Sequence, residues 1–160
     1  MGLKCNVDMN AMRKRYDDML KATEKKQIVL LQMLGEECII RARGEHANNW
    51  QDQTGNLRSS IGYMIFKDGE PILESTFEQV NAGHAQEGDV YDGAQRGMQF
   101  CKTIGEQTHG IALVVVAGMS YASYVEKNGK DVLTSAEQLA ERELPKMLEE
   151  LKSNIIKAAE

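Results

Sequence analysis

The sequence predicts an α+β fold in which a small antiparallel sheet packs against long N- and C-terminal helices, and three stretches predict it. Residues 111–117, IALVVVA, form a β-branched apolar run too short to span a bilayer, which reads as a strand buried on at least one face. Residues 62–77 alternate and turn like a hairpin, and both ends of the chain carry apolar residues at helical spacing. Sheet and helices each have one apolar face, and burying those faces against one another satisfies both.

The 160 residues are enough for a single domain with a real core. A formal net charge of -5 argues against broad nucleic-acid binding, which needs clustered Lys and Arg in excess. Cys5, Cys38 and Cys101 are odd in number and lack CxxC spacing, so neither a disulfide framework nor a zinc knuckle is indicated, and a reducing compartment is expected. The first sixteen residues lack the apolar core of a signal peptide, and no stretch is long enough to be a membrane span. Gly2 invites N-myristoylation, but Asn6 stands where that motif wants Ser or Thr.

From residue 8 to 45 there is no proline, and Met12, Tyr16, Met19, Leu30, Leu31, Leu34 and Cys38 recur as on an amphipathic helix. Gly35 marks a place for a bend or a close contact. Arg13, Lys14, Arg15, Lys25 and Lys26 read as the helix's wet face rather than a phosphate-binding arm. Residues 46–50 are loop-like, with Trp50 a plug beneath the loop. Thr54, Gly55 and Asn56 form a turn, followed by one helical turn that places Leu57 and Ile61 together. Residues 62–66 read as a strand, 67–70 as its turn and 71–77 as its returning partner.

Residues 80–110 form a glycine-rich insert whose glycines look irregularly spaced and match no GxGxxG or Walker pattern. Within it Asp92 is placed to cap a short helix through Met98, Cys101 and Ile104, and residues 81–92 read as a loop that orders on assembly. After the core strand, Gly118 ends the run and Ser120 is placed to cap a short aromatic helix carrying Tyr121 and Tyr124, both expected half-buried at the core boundary or under a neighbouring subunit. Residues 131–133 read as a short extension able to pair with the sheet. A capping box, Ser135 with Gln138 or Thr134 with Glu137, opens a final helix with the stripe Ala140, Leu144, Met147, Leu148, Leu151 and Ile155. Pro145 predicts a bend there, or two consecutive helices.

Two short motifs, in order, resemble the tail-completion and head-tail connector proteins of tailed bacteriophages. A Thr-Gly-x-Leu-Arg-x-Ser-Ile turn after the first helix is matched by Thr54, Gly55, Leu57, Arg58, Ser60 and Ile61. A Tyr-Ala-x-Tyr-Val-Glu segment after the central strand is matched by Tyr121, Ala122, Tyr124, Val125 and Glu126. The resemblance implies a non-enzymatic virion protein of the tail or neck, assembled in the host cytoplasm. It implies a homo-oligomeric ring on assembly, able to stay monomeric in isolation, with other tail or neck proteins as partners and no membrane or sequence-specific nucleic-acid contact. Tyr121 and Tyr124 are the expected subunit-interface residues, and Arg58 and Glu126 are a possible ion pair if both lie at one end of the sheet.

Chemistry has little footing in the residues. Cys101 and His109 carry no thiol-hydrolase signature, His46, His84 and His109 have no HxxxH or HExxH spacing, and Glu149 and Glu150 belong to an ordinary solvated helix face. No catalytic residue, cofactor or metal is expected. The competing reading is a small cytoplasmic binding module that captures a ligand or partner peptide with its glycine-rich loop.

Overall fold

A computed structural model describes residues 8–44, 54–75, 77–80 and 92–159 of the chain. Among the described residues five helices and three strands follow in the order α1 (Met9–Arg43), α2 (Asn56–Ser59), β1 (Ile61–Lys67), β2 (Glu70–Glu74), α3 (Gly93–Gly105), β3 (Ile111–Ala117), α4 (Ala122–Lys127) and α5 (Thr134–Ala159). The fold is α+β, with a three-stranded antiparallel sheet in the order β2-β1-β3. Trp50, Cys5, His46 and His84, and the proposed loop at 81–91, lie outside the described residues.

β1 is the centre of the molecule and is buried along six of its seven residues. Its pleat sends Ile61 and Tyr63 toward α1, and Met64 and Phe66 toward α3. β3 alternates in step: Leu113 and Val115 join the α1 side, and Val114 and Val116 join the α3 side. α1 and α5 thus form one layer, the sheet the second and α3 the third. The sequence predicts α1 and α5 against the sheet and assigns no cover to its opposite face.

α3 covers it, and its glycines explain how. Gly93, Gly97, Cys101 and Gly105 recur every four residues and form the buried face of the helix. A Cβ at Gly105 would fall 2.0 Å from the Phe66 ring, and one at Gly97 would fall 2.4 Å from the Ser60 carbonyl oxygen. The spacing that looked irregular within residues 80–110 is therefore a helical stripe of small residues that lets α3 sit directly on β1. The expected helix through Met98, Cys101 and Ile104 is present: Cys101 lies on its buried face among the glycines, Met98 is half-buried against the core and Ile104 is 39% exposed. Asp92 stands at the N-cap without a capping bond, and its carboxylate pairs with Arg96 instead.

The hairpin turn is two residues, Asp68 and Gly69, both at positive φ (52° and 86°), which suits the right-handed twist of the flanking strands. Asp68 also ties the turn to the start of β3, its carboxylate accepting from the Gly110 amide at 2.8 Å. The returning strand is shorter than the expected 71–77. It ends at Glu74, the Ser75 hydroxyl accepts from Tyr63 N at 2.9 Å, and Phe77 turns inward to lie over Gly62 and Gly97.

α1 is a single helix, opened by the Asp8 carboxylate, which accepts from the Asn10 and Ala11 amides. Gly35 serves close contact: a Cβ there would lie 2.7 Å from the Tyr63 ring, whose hydroxyl donates to Glu36 at 2.7 Å. α5 is also a single helix with Pro145 inside it, so the expected alternative of two consecutive helices is corrected. Pro145 removes the hydrogen bond to the Glu141 carbonyl, but both residues lie on the exposed side, where water can replace it. Residues 131–133 do not pair with the sheet; Val132 is instead a fully buried plug beneath the start of α5.

Candidate assembly surface

The two sequence motifs meet at one end of the sheet. Gly55, at φ 80°, opens the single turn of α2; the Ser59 hydroxyl donates to the Gly55 carbonyl at 2.6 Å and the Ser60 hydroxyl to Leu57 O at 2.8 Å. Thr54 adds a long bond from the Asn56 amide at 3.4 Å. The turn delivers Leu57 and Ile61 into the same core cluster as Ala122, with Val125 packed against it. Ser60 O then accepts from Gly118 N at 3.1 Å, joining the first motif's turn to the residue that ends β3. Ser59, which the sequence reading did not single out, also accepts from Val80 N at 2.7 Å and anchors the chain after the hairpin.

Glu126 has a different partner from the one expected. Its Oε1 accepts from the Leu133 amide (3.0 Å), the Thr134 amide (2.8 Å) and the Thr134 hydroxyl (2.7 Å). Burial alone would raise this carboxyl, but hydrogen bonds from the Thr134 side chain and from the backbone of Leu133, Thr134 and Val132 outweigh it and hold the group below its ordinary range. Asp131 completes the cap by accepting from Ser135 N at 3.0 Å. Two acidic side chains, Glu126 from α4 and Asp131 from the turn after it, therefore hold the N-terminus of α5, in place of the capping boxes read from residues 134–138. The Ser135 hydroxyl is buried and has no partner among the described residues. The ion pair between Arg58 and Glu126 is not among those formed by the described residues.

α4 begins at Ala122, with Tyr121 rather than Ser120 at its N-cap position and no side-chain capping bond. Tyr121 is 39% exposed, close to the half-burial expected of it, whereas Tyr124 is 69% exposed and stands clear of the core. Arg58 is partly buried.

Two further apolar features were not anticipated. The first is the start of α1, where every residue from Asp8 to Asp18 is exposed, among them Met9, Met12 and Tyr16. Met12 and Tyr16 share the amphipathic spacing of Leu34 and Cys38, but the structure buries only Leu34, Gly35, Cys38 and Ala42 of α1. The signal was present in the helix lengths. At 1.5 Å per residue the 35 residues of α1 span about 52 Å and the 26 of α5 about 39 Å, so one helix outruns the other. The second feature is a groove of about 840 Å³ between α1, β3 and α5, walled by Leu31, Leu34, Leu113, Val115, Leu144 and Met147.

The buried thiols are chemically quiet. Cys38 Sγ lies 3.6 Å from Ala136 O and Cys101 Sγ lies 3.4 Å from Val114 O. Burial pushes both thiols up, Cys101 to about 12, so both are protonated at neutral pH. Among the described residues no three His, Cys, Asp or Glu side chains group as metal ligands, and no helix is long and apolar enough to cross a membrane. Comparisons with known protein families, curated proteins and solved structures give no match to this chain.

Proposed function

We propose that the protein is a non-enzymatic structural component of a tailed bacteriophage or prophage, acting in head-tail joining or tail completion as a ring-forming subunit. The observation that carries the reading is the convergence of the two motifs. Thr54–Ile61 and Tyr121–Glu126 lie far apart in the chain, yet Leu57, Ile61 and Ala122 share one core cluster while Tyr124 is left exposed. A motif pair that is structurally coupled and presents an aromatic side chain outward is what a joint between subunits needs, since buried aromatic anchors dominate interface energetics. The partners on this reading are other tail or neck proteins and further copies of the chain.

The alternative, ligand capture by a glycine-rich loop, loses part of its footing. Gly93, Gly97 and Gly105 belong to a packed helix rather than a loop. The decisive experiment is mass spectrometry or immunogold labelling of purified particles. Recovery at the neck or tail end supports the structural role, and a protein found in lysate but never in particles rules it out.

A further inference from the structure

We propose that the exposed N-terminal arm of α1 in one copy docks into the groove between α1, β3 and α5 of a second copy. The proposal rests on the ring-forming reading above and specifies its joint.

The arm presents a prepared apolar face. Met9, Met12, Tyr16 and Leu20 are 57%, 55%, 58% and 48% exposed, and their steps of three and four residues place them on one side of the helix. The same steps continue through Thr23, Gln27, Leu30 or Leu31, Leu34 and Cys38, so the stripe prolongs the face that, further along α1, packs against β3 and α5. The arm's natural partner is therefore a surface of that kind. The groove supplies one, and it is flanked by α5 from Thr134 to Leu151, about 26 Å at the helical rise. The arm from Met9 to Leu20 spans about 17 Å and fits within it.

The arm cannot reach the groove of its own chain. α1 is unbroken from Met9 to Arg43, and Leu31 and Leu34 form part of the groove wall, so the arm points along the helix axis away from it. Only a second copy can bring the two together.

Charge favours the same pairing. Residues 9–21 hold four basic side chains (Arg13, Lys14, Arg15, Lys21) and two acidic ones (Asp17, Asp18), net +2, which leaves -7 on the rest of a chain whose total is -5. The charged residues lining the groove are Glu126 and Glu137, both carboxylates. A basic amphipathic helix meeting an apolar groove with acidic residues in its wall combines steering with burial. Because arm and groove are different surfaces, the contact is heterologous, the type that propagates from copy to copy and forms a ring where the rotation between copies closes.

The test is light scattering of the full-length protein over a concentration series. Three variants are compared with the wild type: Met12→Ser with Tyr16→Ser in the arm, Leu148→Glu at the groove, and Glu137→Lys at the same groove. Leu148 is 50% exposed and Glu137 is also exposed, so at least one groove variant should keep the wild-type circular dichroism and melting temperature. The wild type self-associates, and the arm variant and the folded groove variant each associate at least about tenfold more weakly, equivalent to about 1.4 kcal/mol. An equimolar mixture of arm and groove variants regains a heterodimer, because one sound arm and one sound groove remain. The proposal is overturned by a wild type that is monomeric throughout, by a mixture that stays apart, or by loss of association in the arm variant alone, which would mean that arms pair with arms. Particle recovery reads separately: arm-and-groove pairing by a protein absent from virions would keep this inference and sink the phage assignment, and the converse result would do the reverse.

Discussion

The two halves of α1 have similar apolar spacing and opposite surroundings. From Leu34 to Ala42 the helix lies on the sheet, with Leu34, Gly35, Cys38 and Ala42 buried against β1, β3 and the first turns of α5. From Met9 to Asp18 every side chain is exposed. Helical periodicity states that a face will be covered; it does not state by what. In the packed half the cover is the same chain. In the arm, a free helix of about a dozen residues is marginal in water, so its persistence depends on continuity with the packed half.

The sharpest test of that contrast makes the same substitution twice. Leu34→Ala removes a side chain that is 1% exposed and should cost about 2–5 kcal/mol. Leu20→Ala removes one that is 48% exposed and should change stability by no more than about 0.5 kcal/mol. Chemical denaturation of both variants at a concentration where the protein is monomeric measures the difference. Equal losses would mean that the arm is packed in the monomer.

Gly35→Ala probes the packed half from the opposite direction. In an exposed helix this change gains up to about 1 kcal/mol of helix propensity. Here the new methyl would lie 2.7 Å from a Tyr63 ring that is fully buried and held by Glu36, so the variant should lose about 1–3 kcal/mol. In the arm, Asn10→Ala should leave stability unchanged or raise it slightly. A stabilised Gly35→Ala would show that α1 can lift off the sheet at little cost.

These contrasts also show which parts of the structure were legible in sequence. The β3 strand was read to the residue, because five β-branched or leucine side chains between two glycines leave few alternatives. The two-residue Asp68-Gly69 turn and the long terminal helices were legible for similar local reasons. α3 was legible as a helix from Asp92 onward, but its packing face was not, because that face is made largely of glycine and a pattern keyed to apolar side chains does not mark it. The capping role of Glu126 was hidden because its targets lie seven and eight residues downstream, where α5 begins, beyond the reach of a local capping rule. The motif residues were visible as a pattern, but that Leu57 and Ala122 touch the same core is a tertiary fact.

Acid should unlock the packed half before it alters the arm. The Glu126 carboxyl is held below its ordinary value of 4.5, so it contributes stability that is fully present above that value and lost as pH falls through its lower folded value. Its bonds fix the start of α5, where Cys38 Sγ of α1 meets Ala136 O. Glu126→Gln should therefore cost about 1 kcal/mol at neutral pH and make stability less sensitive to acid below about pH 4.5. Hydrogen exchange around Leu34–Ala42 should accelerate in the variant, with the arm unchanged. An unaltered acid limb in the melting-temperature profile would show that other carboxylates set it.

A small expected effect on stability belongs to Tyr124, and it carries the most weight for function. Tyr124 is 69% exposed on a six-residue helix whose one buried residue is Ala122, so Tyr124→Ala should shift the melting temperature by less than about 2 °C. Arg58→Ala acts inside the motif turn between buried Leu57 and Ser59, and should lower the melting temperature by several times that amount. If the exposed tyrosine is an assembly anchor, the stable Tyr124→Ala protein is excluded from particles while the less stable Arg58→Ala protein is still incorporated at permissive temperature. Complementation of a phage lacking the gene, scored by particle composition, separates the two. A Tyr124→Ala protein that unfolds would place the tyrosine in the core; one that folds and incorporates normally would leave the arm and groove as the surfaces that hold subunits together.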